Sequence, residues 1–390
     1  MRGRQAEPEF ELAASLAYIA SKRKKAGFIR KRPVEQLIFM IKVEWPLKTL
    51  TISDKTFLFD PLGLFSMSLM IEPIDEIRRA MQTISGPIFS IEDFEDKLER
   101  ALDLISEPIV VQKMNGLVPA FKIRDVIREL TEIDYIRGIK LQSQLNENEF
   151  LKQIEKAVEI SHQLRNEVLE IKGYMESLSR LKSSWERELE EKEEEIRKTY
   201  ETRIEDAKSY LGPRAGPEIE KLKSKMENEI QQLNEMMKDP LNLLNSLIKR
   251  IETARDRRES FIQALEEVPE NIEFVVPFIV AYLSGKHGGR FLVIPPSNLS
   301  KVGIGGKLKK AFGAIVVPLE PRSLLYREMG ELLNEEIHNS VKLSSYLSEI
   351  AKEENLVAKY SDLIMKGITR LRDIEILDED DATEVMSLVI

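Results

Sequence analysis

The sequence predicts an α+β protein: a mixed globular base with β-hairpins from both chain halves, plus a long projecting antiparallel coiled-coil hairpin. Three observations carry that prediction. Apolar residues recur roughly every 3.5 positions through residues 146–268, the spacing of a coiled-coil seam rather than of a helix lying on a globular core. The run is interrupted once, at Leu211-Gly212-Pro213-Arg214-Ala215-Gly216-Pro217-Glu218, by residue types that stop one helix and start another. Segments rich in β-formers flank it on both sides.

From the N-terminus, residues 9–25 are expected to form a short amphipathic helix with Phe10, Leu12, Leu16, Ile19 and Ala20 as its apolar part. It runs into Lys22, Arg23, Lys24 and Lys25, which Arg30, Lys31 and Arg32 follow, the dense basic cluster of the chain. Clustered cations release counterions when they meet phosphate, so these residues are the candidate contact with nucleic acid or lipid headgroups. The competing reading is a solvated helix end whose cations complement the helix dipole. No aromatic residues alternate with the basic ones, as stacking on a single strand would require.

Residues 36–44, 47–52 and 55–61 read as strands, with a turn at Asp54. The plan recurs after the coiled coil: Val275 to Tyr282, a turn at Gly285-Lys286-His287-Gly288-Gly289, then Arg290 to Pro295. In both copies a proline interrupts the first strand, and Phe57-Leu58-Phe59-Asp60-Pro61 aligns with Phe291-Leu292-Val293-Ile294-Pro295. An antiparallel hairpin brings its ends together. The flanking strands therefore either share one sheet, with a pseudo-twofold relation, or form two unrelated hairpins.

Between the first strands and the coiled coil, residues 74–83 and 91–105 read as helices, the second capped by Ser90 with Asp93 three residues on. Residues 108–113 and 117–121 flank Asn115-Gly116, a strong local hairpin signal. Helix, helix, hairpin is the order of a winged helix. The second helix carries Glu92, Asp93, Glu95, Asp96, Glu99 and Asp103, a surface that repels DNA and suits contact with protein. Residues 124–132 and 135–145 are expected to lead helically into the rod.

The first arm of the rod is seamed by Leu151, Ile154, Val158, Leu164, Val168, Ile171, Met175, Leu178, Leu181, Trp185, Leu189, Ile196, Tyr200, Ile204 and Ala207. The second continues through Ile219, Leu222, Met226, Ile230, Leu233, Met237, Leu241, Leu244, Leu247, Ile251, Ala254, Phe261 and Leu265. The tip lies at residues 212–217, where Gly212 suits a left-handed position and Pro217 a first helical turn. Around Glu188/Lys192, Glu193/Arg197 and Glu194/Lys198 nearly everything off the seam is charged. A helical ion pair stabilises by roughly 0.2–0.5 kcal/mol, against about 1.5–3 for a buried Leu or Ile, so the seam is what holds the arms. Asp239-Pro240 is expected to end one helix and start another, and Gly173 to mark a softer joint.

Beyond the second β segment, Gly303-Ile304-Gly305-Gly306-Lys307 lacks the spacing of a phosphate loop and has Leu308 where that motif needs Ser or Thr. It reads as a turn into a helix at 308–312. Residues 314–319 are a buried strand candidate, 324–351 and 356–374 long amphipathic helices, and 373–381 an acidic stretch.

The contiguous division expected is therefore 1–145 as the N-terminal part of the base, 146–268 as the coiled-coil hairpin and 269–390 as the C-terminal part of the base. The chain has 390 residues, no cysteine and a net charge of −9, which argues against a protein coated in nucleic acid and excludes disulfides, thiolate metal sites and cysteine nucleophiles. Abundant Lys, Arg and Glu without cysteine suit a cytoplasmic protein of a thermophile. No apolar run reaches the roughly 18 residues of a membrane span. The three histidines, His162, His287 and His338, are scattered and suggest no metal site. No catalytic motif and no cofactor fingerprint is present. The expectation is a non-enzymatic scaffold or bridging protein that works through protein partners or self-association as an oligomer. The alternative is a nucleic-acid-associated protein using residues 22–32.

Overall fold

The computed structural model describes residues 7–26, 32–52, 55–127, 136–266, 268, 273–286, 288–300 and 315–389. In chain order the elements are α1 (Pro8–Lys22), β1 (Lys25–Ala26), β2 (Arg32–Pro33), β3 (Glu35–Ile52), β4 (Lys55–Phe59) and β5 (Ser66–Ile71). Next come α2 (Ile74–Ile84), α3 (Ile91–Leu104), β6 (Ile109–Asn115), β7 (Leu117–Val118), α4 (Ala120–Ile127) and β8 (Ile139–Lys140). The long helices are α5 (Glu147–Leu211) and α6 (Gly216–Ala264), joined by a single 3-10 turn at Gly212–Arg214. After them follow β9 (Glu273–Gly285), β10 (Gly288–Ile294), β11 (Ser297–Leu299) and β12 (Leu319–Pro321). The chain finishes in α7 (Leu324–Asn339), α8 (Val341–Glu354), α9 (Leu356–Lys359), α10 (Ser361–Asp373) and α11 (Glu379–Met386).

Two compact units result: residues 1–67, 114–155 and 266–390 in one, 68–113 with 156–265 in the other. The division departs from the contiguous one at the ends of the hairpin, where 146–155 and 266–268 belong with the sheet unit, and chiefly in that residues 68–113 belong with the helical hairpin. The apolar faces of α2 and α3 explain it: Ile77, Ala80, Phe94, Leu98 and Ala101 are buried in one cluster with Ile171, Leu178, Leu244, Leu247 and Ile251 of α5 and α6.

The first unit is built on one sheet, with strand order β10-β9-β3-β4-β7. β3 and β9 come from opposite sides of the hairpin in sequence and pair antiparallel along most of their length. The expected shared sheet is thus present. Its four strands β10-β9-β3-β4 read the same from either end, second strand, first strand, first strand, second strand, with Trp45 opposite Val276 at the centre. A rotation about that point exchanges Pro46 with Pro277. The same rotation matches Phe59, which faces Lys48, with Ile294, which faces Ile279. The sequence alignment of these strands was therefore off by one residue, and one residue matters because it flips every side chain to the other face. In the observed register Leu58 and Val293 both join the cluster on one face of the sheet.

That face is covered by α4, α7 and α8 around Ile41, Val43, Trp45, Phe278 and Val280. The other is covered by α1, α9, α10 and α11 around Met40, Ile279, Ala281, Leu283 and Ile294. Alternation along β3 and β9 assigns successive residues to the two layers, which is why both strands read as continuous apolar runs. At the end of β4, buried Asp60 accepts from Trp45 Nε1 (2.7 Å) and from the backbone N–H groups of Leu62, Leu64 and Phe65. Burial pushes its pKa up, and the donors oppose that shift.

Several local expectations are corrected. Asn115-Gly116 makes no hairpin: β6 pairs with β5 and β7 with β4, so the winged-helix wing does not form. Gly116, at φ +84°, instead turns the chain between two sheets, its N–H donating to Phe65 O and its carbonyl accepting from Asp60 N. Residues 139–140 are a parallel strand against Val43 and Glu44 where a helix was expected. The two C-terminal helices are each divided: the first at Ser340, which caps a new start by accepting from the Leu343 N–H, and the second at Tyr360, after a start at Leu356 that Asn355 caps by accepting from the Val357 N–H. The glycine run 303–307 and the helix expected at 308–312 lie outside the described residues; of the strand candidate 314–319, residues 315–318 form no strand and Leu319 begins β12, although Ile315 and Val317 are buried in the second face.

Candidate interaction sites

Within the second unit α5 and α6 run antiparallel, and five contacts fix their register. From one end to the other these are Glu167 with Arg258, Lys172 with Glu259, Met175 with Arg255, Glu193 with Asn234 and Tyr200 with Glu229. Across the set the numbers rise along α5, from 167 to 200, as they fall along α6, from 258 and 259 to 229. α5 has 65 residues and α6 has 49. At about 1.5 Å per residue the longer helix extends roughly 100 Å. Gly212 takes φ +51°, the left-handed position its place after α5 predicted.

Pro240 lies inside α6, which continues through the expected break. Proline in a helix interior costs about 3 kcal/mol. Met237, Leu244 and Leu247 are buried on either side, at roughly 1.5–3 kcal/mol each, and together outweigh it.

The seam contains charges that its apolar periodicity concealed. Arg258 is 0% exposed and falls on the heptad between Ala254 and Phe261. Its Nε donates to Glu167 Oε2 (2.8 Å), Nη1 to Ala254 O (3.0 Å) and Nη2 to Glu72 O (2.6 Å). Glu167 also accepts from Gln163, and the Glu72 carboxylate pairs with Arg257. The sequence signal was available: a cation at a seam position and a buried carboxylate beside Val168 on the other arm. Nearby, Arg78 of α2 donates to both oxygens of Glu170 on α5 (2.8 Å each). That guanidinium holds the Glu170 carboxyl below its ordinary value against the opposing effect of burial. Tyr174 donates to the same carboxylate, and burial first, then that bond, pushes its pKa up to about 12.

The basic cluster belongs to the first unit, where the described members gather around Glu35. Lys22 ends α1 with its ammonium 4.9 Å above the Tyr18 ring. Arg23 Nε donates to Glu35 O (2.8 Å), and the Lys24 N–H donates to Glu35 Oε2 (2.7 Å). Lys25 pairs with Glu384 at 3.1 Å. Arg290, from β10, grips Glu35 with Nε and Nη2 at 2.9 and 3.0 Å. That fork lowers the Glu35 pKa more than burial raises it. Burial lowers the pKa of Arg23. Arg32 pairs through its backbone with Ala26 in the β1–β2 ribbon. Arg30 and Lys31 lie outside the described residues. Two of the cations, Arg23 and Lys25, are thus committed to internal partners, while the side chains of Lys22 and Lys24 are exposed.

Among the described residues no group of His, Asp and Glu is arranged to hold a metal ion, and no helix is long and apolar enough to cross a membrane. His162 is exposed on α5, and His338 Nδ1 lies 2.7 Å from Asn334 O in the preceding turn of α7. His287 is outside the described residues. No protein family, curated protein or solved structure matches this chain. The reading of function therefore rests on its own residues.

Proposed function

We propose that this chain is a non-enzymatic scaffold or bridging protein, its helical hairpin serving as a spacer or gripping arm and its sheet unit binding a partner or a second copy. One observation carries the reading. The seam keeps its register from Glu167/Arg258 to Tyr200/Glu229, and just beyond it, at the turn, Tyr210 is 92% and Leu211 48% exposed. Residues that hold a hairpin shut belong in its seam, and these two do not. An exposed tyrosine beside an apolar residue is the kind of anchor that interfaces use, because the ring buries large area and its hydroxyl still finds a partner.

The test is a shortened chain in which Leu189 is joined to Asp239 by a glycine-containing turn, with Tyr210→Ala/Leu211→Ser in the full-length arm as companion. Both should fold. The reading expects partners that copurify with the wild type, or its self-association in sedimentation, to be lost from each. Retention of every partner by the shortened chain, or turnover of a substrate by the purified protein, overturns it. The nucleic-acid alternative is promoted instead by a salt-sensitive gel shift that disappears when Lys22 and Lys24 are neutralised.

A further inference from the structure

Beside the buried Arg258 network, wholly within the second unit, an open cleft of about 290 Å³ runs along one face of α6. That volume is at the small end of ligand sites. Ser246, Lys249, Arg250, Thr253 and Arg257 line it from the helix. Their spacing of three, four and seven residues stacks them on a single stripe, so cations and hydroxyls alternate along the wall. The facing wall is the turn after α3, including Ser106 and Glu107.

The charges in this cleft are unequally committed. Arg257 pairs with Glu72, whose carboxylate is buried. Glu72 is also 3.7 Å from Arg258, which with Glu167 makes the buried group electrically neutral: two carboxylates, two guanidiniums. Arg250 is held only loosely, its Nη1 at 3.4 Å from Leu102 O and its Nη2 at 3.7 Å from Glu107, a side chain 93% exposed. Lys249 is exposed on the same stripe. Lys249 and Arg250 therefore give the cleft a surplus of positive charge with donors at hand. The hydroxyls of Ser246 and Thr253 already donate to Asn242 O and Lys249 O (both 2.8 Å), which leaves their lone pairs toward any hydroxylated neighbour of the bound group.

We propose that this cleft binds a phosphate group, and that Glu72 relays its occupancy to the seam of the hairpin. Arg250 and Lys249 supply the primary contacts, with Arg257 completing a cationic wall suited to a tetrahedral oxyanion. The relay follows from one unsatisfied atom. Glu72 Oε2 is buried without a hydrogen-bond donor. When Arg257 turns part of its fork to a phosphate, Glu72 is released to close its distance to Arg258 Nη1 and accept from it. The site is independent of the arm-tip contacts, and either reading can fail without the other.

Calorimetric titration with inorganic phosphate, in chloride buffer of matched ionic strength, tests the site on the full chain. Saturable binding is expected for the wild type. Lys249→Ala/Arg250→Ala replaces two surface side chains and should weaken it about tenfold or more while leaving thermal unfolding intact. Binding no different from the chloride control, or equal in the double variant, overturns the site. The relay has its own readout in the wild type: phosphate should slow amide exchange around residues 254–258. Binding without that change overturns the relay and leaves the site.

Discussion

The two halves of the helical hairpin share the same helices and the same heptad, yet only one half is a core. Toward the α2–α3 end, Ile171, Leu178, Leu244, Leu247, Ile251 and Ala254 are fully buried, and the Trp185 ring stacks on Phe94 at 4.4 Å with a 2° interplanar angle. Toward the turn, Leu189, Ile196, Leu222, Met226, Ile230 and Leu233 are only half-buried, and Tyr200 and Ile204 are the best-covered residues of α5 beyond Trp185 at 8% and 9%. The difference is the third layer. A two-helix seam leaves its flanks open to water, and α2 and α3 close them on one half only. The half that α2 and α3 leave open is the one with the exposed tip.

The largest expected effect comes from the charge inside the covered half. Arg258→Ala leaves Glu167 and Glu72 buried with a missing partner, which typically costs about 3–5 kcal/mol. Chemical denaturation should show that loss as a shifted midpoint for the hairpin. Arg258→Leu with Glu167→Leu, which replaces the seam pair by apolar contacts, should recover most of it and still fold. If the single variant is as stable as the wild type, the pair is not what holds the covered half in register.

Next is a matched pair of truncations. Leu178→Ala, in the covered half, is expected to cost about 2–5 kcal/mol. Leu189→Ala, three turns farther on, keeps partial solvent contact before and after and should cost less than about half as much. Equal losses in thermal unfolding would erase the contrast between the halves.

How far this architecture was legible depends on the range of the interaction. The seam, the turn at Gly212 and the caps at Ser90 and Gly212 are local chemistry and stand in the sequence. The cover supplied by α3 is not local. Phe94 and Trp185 are ninety-one residues apart, and nothing in the acidic outer face of α3 names the surface its Phe94–Leu98–Ala101 face meets. Arg258 and Glu167 escaped because a search for apolar periodicity treats a charge at a seam position as a gap. Asn115-Gly116 was misread for the opposite reason: its local signal specifies a tight turn, and Gly116 does supply one, but which strands the turn joins is decided by β4 and β5. The basic cluster shows the same limit, since Glu35, Arg290 and Glu384, which engage it, are scattered across the chain.

The contrast also has a pH signature. Glu170 ties α5 to Arg78 of α2, and its folded pKa is below the ordinary 4.5. A lowered carboxylate pKa means that the folded state holds the proton less tightly than the unfolded chain. The stability it contributes is present above the ordinary value and is lost as the pH falls through the lowered one. The difference in melting temperature between wild type and Glu170→Gln should be clear near about pH 7 and shrink progressively as the pH falls below the ordinary carboxylate range. A difference that persists in acid would assign the effect to packing.

The smallest effect concerns the open half. There the expected ion pairs are formed, Lys192 with Glu188 at 2.9 Å, Arg197 with Glu193 at 3.7 Å and Lys198 with Glu194 at 2.7 Å. All are surface pairs between neighbours on one helix, so mobile ions compete with them readily. Molar salt should therefore speed amide exchange modestly in residues 188–200 and leave residues 171–178 unchanged, because apolar burial there strengthens or holds steady as salt rises. Exchange that responds equally in both stretches would mean the charges, rather than the missing third layer, set the difference between the halves. The modest size of the expected change is itself informative: with the pairs screened, Leu189, Ile196 and Tyr200 still keep the arms together, which lets an arm of this composition stay closed over its whole length while its surface remains almost entirely charged.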